Sequence, residues 1–369
     1  MILQADPGRS YKVNAPEIQK ATARVLESGW YILGKENRAF EDQFAQYNNS
    51  AYCLGVANGT DAVEIVLRGL GIGNGDKVAT VANTAVATVS AIERAGAEVR
   101  FVDIEPGKFT MSAQSLDELL QKENHIKAVV VVHLFGASAD LEAILRVAEK
   151  YNIPMIEDCA QAHGAEYKGK KCGTFGIAGC FSFYPTKNLG AFGDGGAVVT
   201  NDKTLYDRMN ALRQYGWGQR YISNFSGINS RLDEMQAAIL SVKLPYLDKN
   251  NDRRREIANL YRAALSSIDG LELPAEPPYC KHVYHQFVIR VKEGRRADLM
   301  TFLKNKAIGT AIHYPVIIPE QEGYKNIPLP CDLPEIRKVN DEILSLPMYP
   351  ELTEREVETI ISAIREFFQ

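Results

Sequence analysis

No run of this 369-residue sequence approaches the roughly 20 consecutive apolar residues that a membrane-spanning helix needs, so no segment is expected to enter a bilayer. Charge of one sign is also scarce. With 42 basic and 46 acidic side chains the formal net charge is −4, which offers no electrostatic pull towards nucleic acid or an anionic membrane surface. Cysteine is sparse and scattered: Cys53, Cys159, Cys172, Cys180, Cys280 and Cys331 form no C-x-x-C pair and have no histidines at zinc-ligand spacing. They read as reduced, mostly buried thiols, not as a disulfide framework or a metal site. The opening MILQADPGRS lacks the basic and apolar regions of a secretory signal, so a cytoplasmic protein is expected. There is no internal repeat and no low-complexity segment.

What is present is ample core material, with 46% apolar and 24% charged residues, in a chain long enough for two domains. Small metabolites are the default partner. From about 50 to 200, short apolar runs alternate with helical patterns, which predicts an α/β domain on a largely parallel sheet. Seven strands are expected, at 51 to 57, 76 to 82, 98 to 104, 126 to 136, 153 to 160, 177 to 184 and 196 to 201. Helix-period stretches lie between them at 60 to 71, 115 to 121 and 139 to 151. VVVV at 129 to 132 is apolar on both faces, so helices should cover both sides of the sheet. A long helical region at 229 to 265 is interrupted at Pro245. Beyond it, strands are expected at 285 to 291 and 309 to 316 and an amphipathic helix at 354 to 368. A large domain over 1–250 and a small α+β domain over 251–369 follow.

Three stretches carry chemistry. In VANGTDAVEIVL a strand runs through Asn58, Gly59 and Thr60 into a helix, whose free N–H groups and dipole would suit a phosphate; the same residues also read as a plain helix cap. In PMIEDCAQAHGA a strand ends in Glu157 and Asp158, where open α/β sheets bind ligands, although a capping aspartate looks the same. Gln161 and His163 follow on the next turn. In FSFYPTKNLGAFGD, Lys187 lies just past a strand end among Phe181, Phe183, Tyr184 and Phe192. A lone lysine in a turn is ordinarily solvated, but desolvation here would lower its pKa and provide a neutral amine for carbonyl chemistry. Together, a phosphate cradle, a carboxylate and an amine at strand ends of one sheet describe the attachment points of pyridoxal 5'-phosphate (PLP). Asp158 would pair with the pyridine nitrogen, Lys187 would form the Schiff base, and Gly59, Thr60 and Ser182 would take the phosphate.

Read with EDCAQAHGA, SFYPTKNLGAFGDGGAVVTND, GINSRLDEMQAAIL and IHYPV, the chain resembles the DegT/StrS-type sugar aminotransferases of the aspartate aminotransferase superfamily. The resemblance extends from SGWYILG at 28 to 34 through SLPMYPEL at 345 to 352. It implies fold type I: a large domain with a mostly parallel seven-stranded mixed sheet flanked by helices, and a smaller α+β domain. It also implies a homodimer with shared active sites, in which Asn229 reaches the cofactor phosphate of the neighbouring subunit. Gln161 would lie beside the cofactor's phenolic oxygen. Tyr184, His313 and Tyr314, with Arg220 and Tyr221 on a loop, would approach the sugar nucleotide, although Arg220 reads equally as a solvated charge.

Two departures from the family pattern stand out. Ala85 replaces the aromatic residue that many relatives hold over the cofactor ring, leaving His163 as a candidate for stacking, and Pro319 replaces a second histidine.

The implied reaction is transfer of an amino group from L-glutamate to a nucleotide-linked ketosugar. The acceptor would be a dTDP-3-keto-6-deoxyhexose, on a route to cell-surface polysaccharide or secondary-metabolite sugars. The alternatives are a 4-keto acceptor, dTDP- or UDP-linked, and a catalytically silent PLP-binding regulatory protein. Sugar 3-dehydratases of the superfamily carry histidine where Lys187 stands, so the lysine favours transfer.

Overall fold

The seven predicted strands of the first 200 residues assemble into one sheet in the computed structural model, which describes residues 1–369. They are β1 (Tyr52–Val56), β2 (Lys77–Val81), β3 (Glu98–Val102), β4 (Ile126–Val132), β5 (Met155–Asp158), β6 (Ala178–Ser182) and β7 (Gly196–Thr200). Their order is β1-β7-β6-β5-β4-β2-β3. All pairings are parallel except those of β7, which runs antiparallel to β1 and β6. β1, β6, β5 and β4 therefore present their carboxyl ends at one edge of the sheet. Val129, Val130 and Val131 of β4 are fully buried, as a strand covered on both faces requires.

The insertion of β7 also shapes that edge. Gly196 pairs with Ser182 on one side and Val56 on the other, and a Cβ there would lie 2.4 Å from the Asn58 carbonyl oxygen. Only glycine lets these backbones approach so closely.

The helical region after Asn229 breaks as its proline demands: helix Glu234–Lys243, a 3-10 turn at Leu244–Tyr246 and helix Leu247–Leu265. The last of these spans position 250. Its Leu247 belongs to the large core, whereas Ile257, Ala258, Tyr261 and Leu265 belong to a second core. That smaller core packs helices Leu247–Leu265, Arg296–Asn305 and Glu354–Phe368 on an antiparallel sheet of β8 (Leu271–Glu272), β9 (Phe287–Val291) and β10 (Ile343–Leu346). The N-terminus joins it, since Ile2 bridges to Ile308.

The expected strand over 309 to 316 does not form. Only Ala311 bridges to Ser345, and the chain then turns at Pro315, which has no N–H to continue a ladder. The partner of β9 is instead Ile343–Leu346, a four-residue apolar run whose brevity hid it. Likewise, the run predicted to continue to 136 leaves the sheet at Val132 and becomes a 3-10 turn at Leu134–Gly136.

Candidate active site

The carboxyl edge of the sheet opens into a cavity of about 850 Å³ lined by Gly59, Thr60, Asp158, Gln161, Ser182 and Lys187, with Thr84, Ala85, Thr88, Tyr184 and Asp194 around them. Each wall is built by one strand end. β1 leads into Asn58, whose side chain accepts from Asp61 N at 2.8 Å and caps helix Gly59–Gly69. Capping is thus done by Asn58, leaving the backbone N–H groups of Gly59 and Thr60 free for a ligand. Ser182, at the end of β6, comes so close that a Cβ on Gly59 would lie 2.7 Å from Ser182 Cβ.

β5 delivers Asp158, buried, with Oδ2 accepting from Thr88 Oγ1 at 2.8 Å and Oδ1 from Ala160 N at 3.1 Å. Thr84 Oγ1 lies 2.9 Å behind Thr88 Oγ1, extending the chain of hydroxyls. The preceding Glu157 points to the other face. There it is fully buried, accepting from Gly173 N, Phe175 N and Gly176 N at 2.7, 2.7 and 2.9 Å and meeting His133 Nε2 at 3.0 Å. Burial alone would raise its carboxyl, but those donors hold it below the usual value. It clasps the loop before β6 and belongs to the scaffold.

Lys187 follows β6 in a tight turn, its N–H bonded to Tyr184 O at 2.8 Å. Its neighbour Asn188 pins the turn by donating to Asn251 Oδ1 at 2.8 Å and Val283 O at 3.0 Å. Burial pushes the Lys187 amine down to about 8, opposed by the nearby Asp158 carboxylate. Gln161 accepts from Phe135 N at 2.7 Å and donates to Tyr314 OH at 3.1 Å, and burial raises the Tyr314 phenol to about 12. His313 bonds Ser345 Oγ at 2.8 Å, and burial next to Lys187 lowers it to about 4.

These donors fit PLP. Free N–H groups at a helix N-terminus with two hydroxyls suit its phosphate, an anchored carboxylate suits a pyridinium nitrogen, and a desolvated amine suits its aldehyde. The model of the DegT/DnrJ/EryC1/StrS aminotransferase family matches residues 13–365. The chain belongs to this family. Its members are PLP-dependent, and the alternative of a silent regulatory protein gives way to an aminotransferase.

Among relatives of this aminotransferase, the dTDP-3-amino-3,6-dideoxy-alpha-D-galactopyranose transaminase of Aneurinibacillus thermoaerophilus is 46% identical, covering 95% of each chain. The UDP-N-acetyl-3-dehydro-alpha-D-glucosamine 3-aminotransferase of Acidithiobacillus ferrooxidans is 40% identical over 95% of this chain and 93% of its own. The crystal structure of DesV from S. venezuelae, in complex with a ketimine intermediate, superposes with a TM-score of 0.95 at 38% identity, covering 100% of this chain and 98% of DesV.

Not every predicted residue lies in the cavity of this aminotransferase. His163 is fully buried behind it, tilted against Phe181 and Phe183 at 5.5 and 5.8 Å, with neither ring nitrogen bonded. Burial beside Lys187 lowers it to about 3, and it forms no wall where a ring would stack. Arg220 and Tyr221 are exposed on a ribbon of Trp217–Gln219 and Ile222–Ser223, and line a different, open cavity with Trp30 and Tyr31. Asn229 is exposed and bridges to Gln214. Ala85 lines the Lys187 cavity, whereas Pro319 is buried in a 3-10 turn and does not line it.

Thr88, Asn188 and Asp194 were missed by sequence reasoning. Thr88 lies three residues after Ala85, but nothing in that spacing says that its hydroxyl faces a strand end 70 residues away.

Proposed function

We propose that this aminotransferase carries an amino group from L-glutamate to the 3-keto group of a dTDP-linked 6-deoxyhexose, working as a homodimer with shared active sites. The reading rests on the Lys187 amine, desolvated at the carboxyl edge of the sheet beside Asp158 and the Gly59–Thr60–Ser182 cradle. Regiochemistry is supported by two relatives named for amination at carbon 3, one on a dTDP sugar and one on a UDP sugar. A UDP-linked 3-ketosugar is accordingly the second reading. L-Glutamate is taken as donor from the family resemblance.

The dimer is supported by the exposed aromatic surface of Trp30, Tyr31, Tyr221 and Phe225, an apolar patch of the kind that marks an interface. Asn229, exposed and outside its own chain's cavity, is free to act across that interface.

When bound, PLP supplies an electrophilic carbon for amines and an electron sink for the carbanion beside the transferred nitrogen. Gly59 N–H, Thr60 and Ser182 would hold its phosphate. Asp158, fixed by Thr88 and Ala160 N–H, would favour the cationic ring nitrogen through its opposite charge. Lys187, half-neutral near its lowered pKa, removes the proton from the donor α-carbon and in the second half-reaction returns one to the sugar carbon that gains nitrogen. Tyr314 and Gln161, bonded to one another, close the wall towards the small domain.

The test is incubation with glutamate and a panel of 3-keto and 4-keto nucleotide sugars, with the products identified by mass and NMR. A 3-amino dTDP sugar is expected, and a product aminated only at carbon 4 would overturn the regiochemistry. Turnover by Lys187→Ala at the wild-type rate would overturn the assignment of the site.

A further inference from the structure

A second cavity, of about 520 Å³, lies beneath the N-terminal segment and meets the first only at Lys187. Its lining mixes prolines and an alanine with polar side chains, among them Lys243, Arg254, Tyr349, Asp6 and Glu351. Lys243 and Arg254 are 8% and 5% exposed, and neither forms an ion pair. Lys243 Nζ reaches only the Gly190 carbonyl and stands 5.0 Å over the Phe192 ring. Arg254 donates through Nη1 to Tyr284 O and Met348 O at 3.1 and 2.8 Å, while its Nε–H has no partner. The hydroxyl of Tyr349, a residue 3% exposed, is also unpartnered.

Buried cations without counter-charge are costly, and each unpaired buried donor adds to the penalty. The two carboxylates in the lining do not cancel them. Asp6 is engaged by Arg9 at 3.3 Å, and Glu351 stays beyond ion-pair distance of both cations, its carboxyl raised by burial. The two cations therefore face one carboxylate already paired with Arg9 and one that contacts neither of them. Burial lowers Lys243 to about 8 and Arg254 to about 10, opposed in both by the charge of Glu351, which no hydrogen bond joins to either.

We propose that this cavity binds a small oxyanion, a carboxylate or an inorganic phosphate, held by Lys243 Nζ, Arg254 Nε–H and the Tyr349 hydroxyl. The three residues that carry these donors line one cavity, which suits an acceptor with several oxygens. The segment above is fastened by Arg9, which grips Glu356 at 2.6 and 2.8 Å through two nitrogens and packs against the Tyr349 ring. The site is thus roofed by residues outside the machinery that holds PLP, and the proposal does not depend on which sugar is the acceptor.

The test is calorimetric titration of the PLP-loaded protein at constant ionic strength, with inorganic phosphate in one arm and glutarate, which has no amine to transfer, in the other. Saturable binding of one anion per chain is expected in at least one arm, and the arm that saturates names the source. Lys243→Met should weaken it at least tenfold, and Tyr349→Phe, which removes one oxygen and keeps the ring, severalfold. Absence of saturable binding, or binding unchanged in Tyr349→Phe and Lys243→Met, overturns the proposal. Should Lys243→Met fail to fold, Tyr349→Phe alone decides. Loss of anion binding with turnover of the ketosugar intact separates this site from the proposed reaction.

Discussion

Thr88 donates its hydroxyl hydrogen to Asp158 Oδ2 at 2.8 Å, joining a helix N-terminus to the carboxylate that ends β5 in the cofactor cavity. Because Asp158 is buried, this bond and the one from Ala160 N–H stand in for water in stabilising its charge. Thr88→Val keeps the shape and removes the donor. A hydrogen bond contributes about 0.5–1.5 kcal/mol, so kcat/KM should fall between about twofold and tenfold. Steady-state kinetics of the folded variant check this, and Thr88→Ser should retain most of the activity.

The pH dependence of Lys187 has a definite sign. Burial lowers the amine to about 8, so its neutral, nucleophilic fraction grows as pH rises and levels off above that value. The rate at which cofactor-free protein takes up PLP should follow the same curve. Asp158 raises the Lys187 pKa, so Asp158→Asn should move the midpoint to lower pH. A midpoint near the ordinary lysine value would contradict the desolvated setting.

Gly59→Ala tests the cradle. Its Cβ would lie 2.7 Å from Ser182 Cβ, a contact that one of the two must relieve by moving. Overpacking of this kind costs about 1–3 kcal/mol. PLP affinity should drop by about tenfold or more, as measured by equilibrium dialysis, with a smaller loss in thermal stability.

Shared active sites predict complementation. A chain carrying Lys187→Ala and a chain carrying Asn229→Ala should each be impaired alone. Mixed, refolded dimers contain one site with both residues intact, so random pairing should recover about a quarter of wild-type activity. No recovery in verified mixed dimers would place Asn229 outside the neighbouring site.

Glu157 supplies a structural contrast to Asp158. Glu157→Ala strands three backbone N–H groups and a ring nitrogen of His133 in a buried interior, where each unsatisfied group costs about 1–3 kcal/mol. The melting temperature should fall steeply, and PLP affinity only as far as unfolding requires.

The sequence by itself determined the seven strands of the large sheet and the terminal helix Glu354–Phe368, because apolar runs and helical periodicity are local properties. It also determined the three stretches that meet at the cavity, since Asp158, Lys187 and Gly59–Thr60 each sit beside a strand end that can be read nearby. Tertiary structure decided what depends on direction and distance. Alternation along β5 sends Asp158 into the cavity and Glu157 away from it, and only the neighbouring strands say which face is which. The hydroxyl of Thr88 behind Asp158, the burial of His163 behind two phenylalanines, and the placing of Lys243, Arg254 and Tyr349 on one cavity join residues 11 to 106 positions apart. No spacing in the chain encodes those encounters, which arise when strands are ordered β1-β7-β6-β5 and the small domain closes on them.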